Sequence, residues 1–132
     1  MMKLKTLLTS LIFCCIITVF DILMVEELFR PLALWSEIHV YHQALWCFLV
    51  PCLIAFISVL TKNVFFAAYS IVMCYCGLED ILYFVFQLKM PPQWFTWLNF
   101  PHSCPHVLEL LALSLSLIIV IYVAERMVAK RG

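Results

Sequence analysis

The chain has 132 residues, of which 66% are apolar and 12% charged, and its formal net charge is zero. Soluble domains are about half apolar and about a quarter charged, so a water-soluble globule and a disordered chain are both excluded. Zero net charge also argues against a nucleic-acid-binding protein, which carries a basic surface. The composition predicts an integral membrane protein with a single transmembrane domain, residues 1–132.

Four apolar stretches are long enough to cross a bilayer, because a helical span needs about 20 residues. None has the alternating pattern of a barrel strand, so only helices can satisfy the backbone in lipid. We therefore expect an all-α protein, an antiparallel bundle of four transmembrane helices. The predicted spans cover residues 4–29, 43–60, 64–88 and 105–128.

Prolines and one short polar turn separate these spans. Arg30-Pro31 ends the first helix, since proline cannot continue the hydrogen-bond ladder. The turn Thr61–Asn63 is so short that the second and third helices must be antiparallel neighbours. The third span is predicted as one helix, and Pro51 predicts a kink inside the second.

Lysine and arginine residues predict the orientation. With a cytoplasmic N-terminus, six of the eight basic residues lie inside, and only Arg30 and Lys89 lie outside. Such a bias is typical of membrane proteins, whose cytoplasmic loops are enriched in these residues. Both termini are therefore expected to be cytoplasmic, in a multi-pass protein of the cell or cytoplasmic membrane.

Acidic and imidazole side chains are concentrated toward the opposite side. Seven of the eight acidic residues and all four histidines fall in the outer half of the spans or in the outer loops. A charged group inside a span costs a few kcal/mol or more, so it is retained where it is paired or functional. Glu27 and Arg30 are predicted to form an ion pair at the rim.

Counting residues along each helix indicates that these groups lie at similar depths in the membrane. Asp21, Glu79 and Glu109 lie 16 or 17 residues from the inner basic residue of their own helix. At 1.5 Å per residue, each carboxyl group is about 24–26 Å above the inner boundary. One turn higher, each of the four helices contributes one polar residue: Glu26, His42, Tyr83 and His106.

On the third and fourth helices, the polar residues also lie on one side of the helix, which supports a common site. The third helix carries a polar stripe at helical spacing, made of Cys76, Glu79, Asp80, Tyr83 and Gln87. The fourth helix carries a polar and small stripe, made of His106, Glu109, Ala112 and Ser116. Such stripes face neighbouring helices rather than lipid.

A metal site in the outer half of the bundle is the first hypothesis. Carboxylates and imidazoles suit Fe, Cu, Zn or Mn, and bundle cores hold metals with Glu and His one turn apart. His106 and Glu109 have this spacing in reversed order. The predicted ligands are His106, Glu109, Glu79, Asp80, His42 and Glu26.

A metal-free acid/base site is the second hypothesis. Glu79, Asp80 and Glu109 are expected to crowd together in a low dielectric, so that at least one of them holds a proton. A carboxylic acid beside a carboxylate forms a proton donor and acceptor pair, with Tyr83 as a further catalytic candidate. Such a site could isomerise or cyclise a lipid-like substrate, or relay protons.

Two further interpretations stay open. His42 and His106 could hold a haem between the second and fourth helices. Alternatively, the polar groups only bond the helices together, and the chain is a non-catalytic accessory subunit that packs on other membrane subunits or on itself. The leading prediction is a small membrane enzyme or metal-binding membrane protein with a carboxylate–histidine site.

Overall fold

The computed structural model describes residues 2–131, with side chains for residues 4–130. The protein is 77% helical and has no strands in the part described. Two π-helical segments, named π1 and π2, interrupt the α-helices. The elements in chain order are α1 Met2–Ile22, π1 Leu23–Phe29, α2 Trp35–Ala44, π2 Leu45–Leu49, α3 Val50–Thr61, α4 Val64–Tyr75, α5 Leu78–Phe86 and α6 Val107–Arg131.

Three helical runs are long and apolar enough to cross a membrane: Leu4–Phe29, Trp35–Thr61 and Val107–Lys130. The pair α4 and α5 makes a fourth if the bent pair counts as one span. Their length and composition support a multi-pass membrane protein whose apolar helices contact the lipid bilayer. The candidate run Leu4–Phe29 has the same bounds as the predicted first span, and the last run begins two residues later than the predicted one.

The second span begins earlier than the sequence predicts. Its helix starts at Trp35, eight residues before the predicted start at position 43, so that Glu37 and His42 belong to a helix. The prediction followed continuous apolarity, whereas a helix that covers one side of a bundle needs only one apolar face. His42 is consequently held on a regular helix.

The first span ends as a π-helix just before proline. The Arg30 N–H donates to the Val25 carbonyl, five residues back, at 3.0 Å. Pro31 has no N–H with which to continue the ladder, so the predicted end of the helix at Arg30-Pro31 is confirmed. A π turn widens the helix at the level where Glu26 lies, and such turns are frequent at functional sites.

The second π segment accommodates Pro51. The Val50 N–H donates to the Leu45 carbonyl, five residues back, and Pro51 has no N–H for the next carbonyl, that of Trp46. The Tyr75 hydroxyl of α4 donates to this free carbonyl at 2.6 Å. The helix therefore continues to Thr61, and the lost backbone bond is replaced by one to a neighbouring helix.

The third span is broken, which corrects the predicted single helix over 64–88. α4 and α5 meet at an angle of 63° around Gly77, whose φ is +94°. Only glycine adopts this backbone conformation without strain, and the Leu110 side chain lies 2.9 Å from the place a Cβ would occupy. The Ser114 hydroxyl donates to the Cys76 carbonyl, which the break leaves without a backbone partner, at 2.7 Å.

The core is centred on α1 and α4. α1 packs against α4 and α5, while α4 also packs against α3 and α6. Phe13 of α1 and Phe66 of α4 meet edge to face, with ring centroids 5.7 Å apart. This packing leaves π1, α2 and α5 around a common space, at the end of the bundle opposite the turn at Lys62.

The connection between α5 and α6 folds back onto that end. Phe95 is fully buried, and its N–H donates to the Pro105 carbonyl at 3.0 Å. The Val107 N–H donates to the Gln93 carbonyl at 2.8 Å, so both ends of the connection are tied together. Trp97 is thereby fixed beside α5.

Candidate functional site

A cavity of about 690 Å³ lies between α1, α2, α4, α5 and the connection that follows α5. Its walls are mostly apolar and aromatic, as is usual for small-molecule sites, and its volume lies in their ordinary range. Seven lining residues are charged or polar at the side-chain end: Asp21, Arg30, His42, Tyr75, Glu79, Asp80 and Tyr83. The cavity thus gathers polar groups from several elements inside an apolar bundle.

Asp21 and His42 come together across α1 and α2. Asp21 Oδ1 lies 3.3 Å from His42 Nε2, and the Asp21 side chain is only 6% exposed. The two atoms touch without a well-aligned hydrogen bond between them. A carboxylate beside an imidazole fixes the ring and its proton, which is the arrangement that acid/base sites use.

Glu79 lies in the first turn of α5, directly after the break at Gly77. It is 4% exposed, and its Oε1 atom has no hydrogen-bond partner among the described residues. The helix N-terminus carries partial positive charge, which favours a carboxyl group at this position. The break in the third span therefore puts a helix start, with its carboxyl group, at the cavity wall.

Asp80 and Tyr83 have partners of their own. The Trp97 indole N–H donates to Asp80 Oδ1 at 3.2 Å, and the Tyr83 hydroxyl donates to Glu26 Oε1 at 2.7 Å. Glu26 in turn pairs with Arg30 at 2.8 Å. The rim pair is therefore Glu26–Arg30, which corrects the predicted Glu27–Arg30 pair and follows from the four-residue spacing on one helical face.

His106 and Glu109 do not line the cavity. His106 precedes the first residue of α6; its Nδ1 accepts the Leu108 N–H at 3.1 Å, and Glu109 Oε2 accepts the His106 N–H at 3.0 Å. This is a reciprocal capping arrangement, in which residues three apart satisfy each other's end of the helix. Glu109 also lies 3.2 Å from His102 Nε2.

The structure therefore brings only some of the predicted site residues together. The structure brings Glu79, Asp80 and Tyr83 to one cavity together with His42, and it joins Glu26 to that group through Tyr83. His106 and Glu109 instead cap α6, because the spacing predicted for a metal pair also suits a helix start. The predicted facing of the third-helix stripe assumed a helix that runs straight through Gly77.

No three His, Cys, Asp or Glu side chains within the described part of the chain form a group that could hold a metal ion. The predicted ligands divide between the cavity, the rim and the cap of α6. Metal binding and haem binding thus remain predictions without support from this geometry.

Sequence reasoning gave Asp21 only a secondary place and did not pair it with His42. Counted from the inner basic residue of each helix, Asp21 lies at 16 residues and His42 at 20, so their predicted depths differ by four residues. This count does not show the direction in which either side chain points. Trp97 was also missed as a partner of Asp80, because loop aromatics in a membrane protein are expected at the interface with water.

Comparison with known proteins yields no match to any family model, curated protein or solved structure.

Proposed function

We propose that this protein is a membrane-embedded acid/base enzyme that moves a proton on a lipid-like small molecule. The observation that carries the proposal is the contact of 3.3 Å between Asp21 Oδ1 and His42 Nε2 at the wall of the cavity. In this proposal the basic residues at the other end of the bundle are cytoplasmic, so that the cavity serves the outer leaflet.

His42 is the proposed general base. A carboxylate that holds one ring nitrogen stabilises the charge that the imidazole gains when the other nitrogen accepts a proton. Asp21 supplies that carboxylate from a neighbouring helix and acts as the positioning residue. Catalytic contacts are often loose without substrate and tighten when it binds, which is consistent with the long contact between the two side chains.

Glu79 is the proposed general acid. Burial of an unpaired carboxylate is costly, so Glu79 enters the reaction with its proton on the carboxyl group. His42 takes a proton from a carbon next to a carbonyl or a double bond, and Glu79 gives a proton at the other end of the unsaturated system. The double bond moves, one proton is gained for each one lost, and the reaction needs no oxidant or reductant.

Cavity size and lining support a lipid-like substrate. The volume of about 690 Å³ suits a molecule of moderate size, and aromatic residues such as Trp35, Trp46 and Phe84 provide apolar walls. A substrate with an apolar chain reaches such a site from the bilayer. The predicted accessory role would leave the paired Asp21 and His42 without a chemical task.

Proton exchange with solvent tests the proposal without knowledge of the substrate. The purified protein in lipid nanodiscs is incubated in D2O with lipids extracted from cells that express it, and the lipids are analysed by mass spectrometry. We expect one class of lipid to gain deuterium at carbon in a protein-dependent way. The His42→Asn variant should lose this exchange, since amide nitrogen is not a base.

His39→Asn is the matched control, because His39 lies on the same helix, is exposed and does not line the cavity. The control should exchange deuterium at the wild-type rate. If no lipid gains deuterium with the wild-type protein, or if both variants behave alike, the acid/base proposal fails.

A further inference from the structure

We infer that the ligand of this cavity is an amphipathic amine, whose primary or secondary ammonium group is held by Asp21, Glu79 and Asp80 while aromatic rings enclose its apolar part. The inference rests on the proposed function in that it names the substrate class of the same site. Charge, unpaired acceptors and aromatic walls support it through separate observations.

Charge in the cavity is unbalanced. With Glu79 protonated, the lining still holds two carboxylates, Asp21 and Asp80, and besides His42 its only basic residue among those described is Arg30. The Arg30 guanidinium already pairs with Glu26 at 2.8 Å, outside the lining set, so its charge is not directed at the cavity carboxyls. A cation in the cavity would restore the balance, whereas a phosphate or carboxylate group would meet like charge.

Two of these carboxyl groups have unpaired, buried oxygen atoms. Glu79 Oε1 lacks a hydrogen-bond partner among the residues described, and Asp21 Oδ1 has only the poorly aligned contact with His42 Nε2 at 3.3 Å, although Glu79 and Asp21 are each only 4% exposed. Buried polar atoms in folded proteins are rarely left without a partner. An ammonium group carries several N–H donors and no acceptor, which complements a site that offers acceptors from two helices.

Aromatic residues in the cavity lining provide further contacts for an organic ammonium ion. Trp35, Trp46, Tyr75, Phe84 and Trp97 all line the cavity. The face of an aromatic ring attracts a cation, most strongly for tryptophan, and its edges and neighbours accommodate a hydrocarbon chain. Carboxylates beside several aromatic rings therefore favour an organic ammonium ion over a small hydrated inorganic cation.

Three probes of equal chain length test the inference. Octylamine, octanol and octanoate, each radiolabelled, are titrated into the wild-type protein in nanodiscs, and binding to empty nanodiscs is subtracted. We expect octylamine to bind about tenfold or more tightly than octanol, and octanoate to bind weakest. If octanol equals octylamine, or if octanoate binds tighter, the inference is overturned.

Asp80→Asn and Asp21→Asn should each weaken octylamine binding about tenfold and leave octanol binding within about twofold of the wild type. Octanol reports whether the cavity is still formed, and Asp80→Asn provides a second test if Asp21→Asn does not fold. Glu27→Gln is the matched control, since Glu27 is exposed, lies near the rim and does not line the cavity. Equal losses in all three variants would contradict a specific ammonium site.

Failure of the two proposals can be told apart. Deuterium exchange that depends on His42, with no preference for octylamine, would leave the enzyme proposal standing and overturn the amine. A clear preference for octylamine without any exchange would support the amine site and overturn the acid/base reaction.

Discussion

The Ser114 hydroxyl of α6 donates to the Cys76 carbonyl at 2.7 Å, at the point where the third span breaks. The side chain and the carbonyl meet beside Gly77, which bends the chain by 63°. A carbonyl freed by a break inside an apolar bundle needs a donor, because no water is available there. Ser114 is fully buried and supplies it.

Ser114→Ala should therefore destabilise the protein. The Cys76 carbonyl would be left without its donor, at a cost of about 1–2 kcal/mol in the free energy of unfolding. Denaturant unfolding in detergent micelles measures this cost. Ser116→Ala is the matched control: the Ser116 hydroxyl bonds only to Ala112 of its own helix and is exposed, so its loss should be close to neutral.

Gly77→Ala should destabilise the protein by about 2–4 kcal/mol, because it adds backbone strain at positive φ to a clash with Leu110. Leu110→Ala in the same chain removes the contacts with Leu110 Cδ2 and Cδ1, keeps the contact with Leu110 Cβ at 3.0 Å, and leaves the backbone strain. We expect the double variant to cost less than the sum of the two single variants, as measured by unfolding. Simple additivity would show that Leu110 does not contact the added methyl group.

Tyr75→Phe should be costly only while Pro51 is present. In the wild type it removes the donor from the Trp46 carbonyl, at about 1–2 kcal/mol. Pro51→Ala restores a backbone N–H that can pair within the helix, so Tyr75→Phe should cost less in that background. A double-mutant cycle on the free energy of unfolding measures the difference. An unchanged cost would contradict the replacement of the lost backbone bond by Tyr75.

His106→Ala and Glu109→Ala should each loosen the start of α6, by about 0.5–2 kcal/mol, as expected for the loss of helix caps. Amide hydrogen exchange of the peptide that contains Leu108 is the measurement, and it should accelerate in both variants. His102→Ala is the comparison, since His102 lies outside the helix and only its side chain reaches Glu109. Unchanged exchange at Leu108 would contradict the capping role.

Sequence alone predicted the apolar spans well and their irregularities poorly. The run that ends at Phe29 is continuous, and Pro31 marks its end by a local rule. The break at Gly77 depends instead on Leu110 and Ser114, which lie more than 30 residues away along the chain. Glu79 and Asp80 after Gly77 are a local signal of a helix start, but a single glycine in an apolar run is also tolerated inside a helix, so the signal was ambiguous.

For the candidate site, too, the sequence predicts some features and leaves others open. Depth along a helix follows from counting, and it placed Glu79 and His42, which both line the cavity, within about one turn of each other. The direction in which a side chain points, and the residue that it contacts, depend on how the helices pack and where they begin. The pair His106 and Glu109 illustrates the ambiguity, because one spacing serves both a metal site and a helix cap.

The bent third span has a consequence for biosynthesis. α4 and α5 contain 12 and 9 residues, and each is too short to traverse the hydrocarbon layer unaided. The groups that hold them at their angle, Ser114 and Leu110, belong to α6 and leave the ribosome later. The bend at Gly77 consequently acquires its hydrogen bond from Ser114 only after the final helix has been translated.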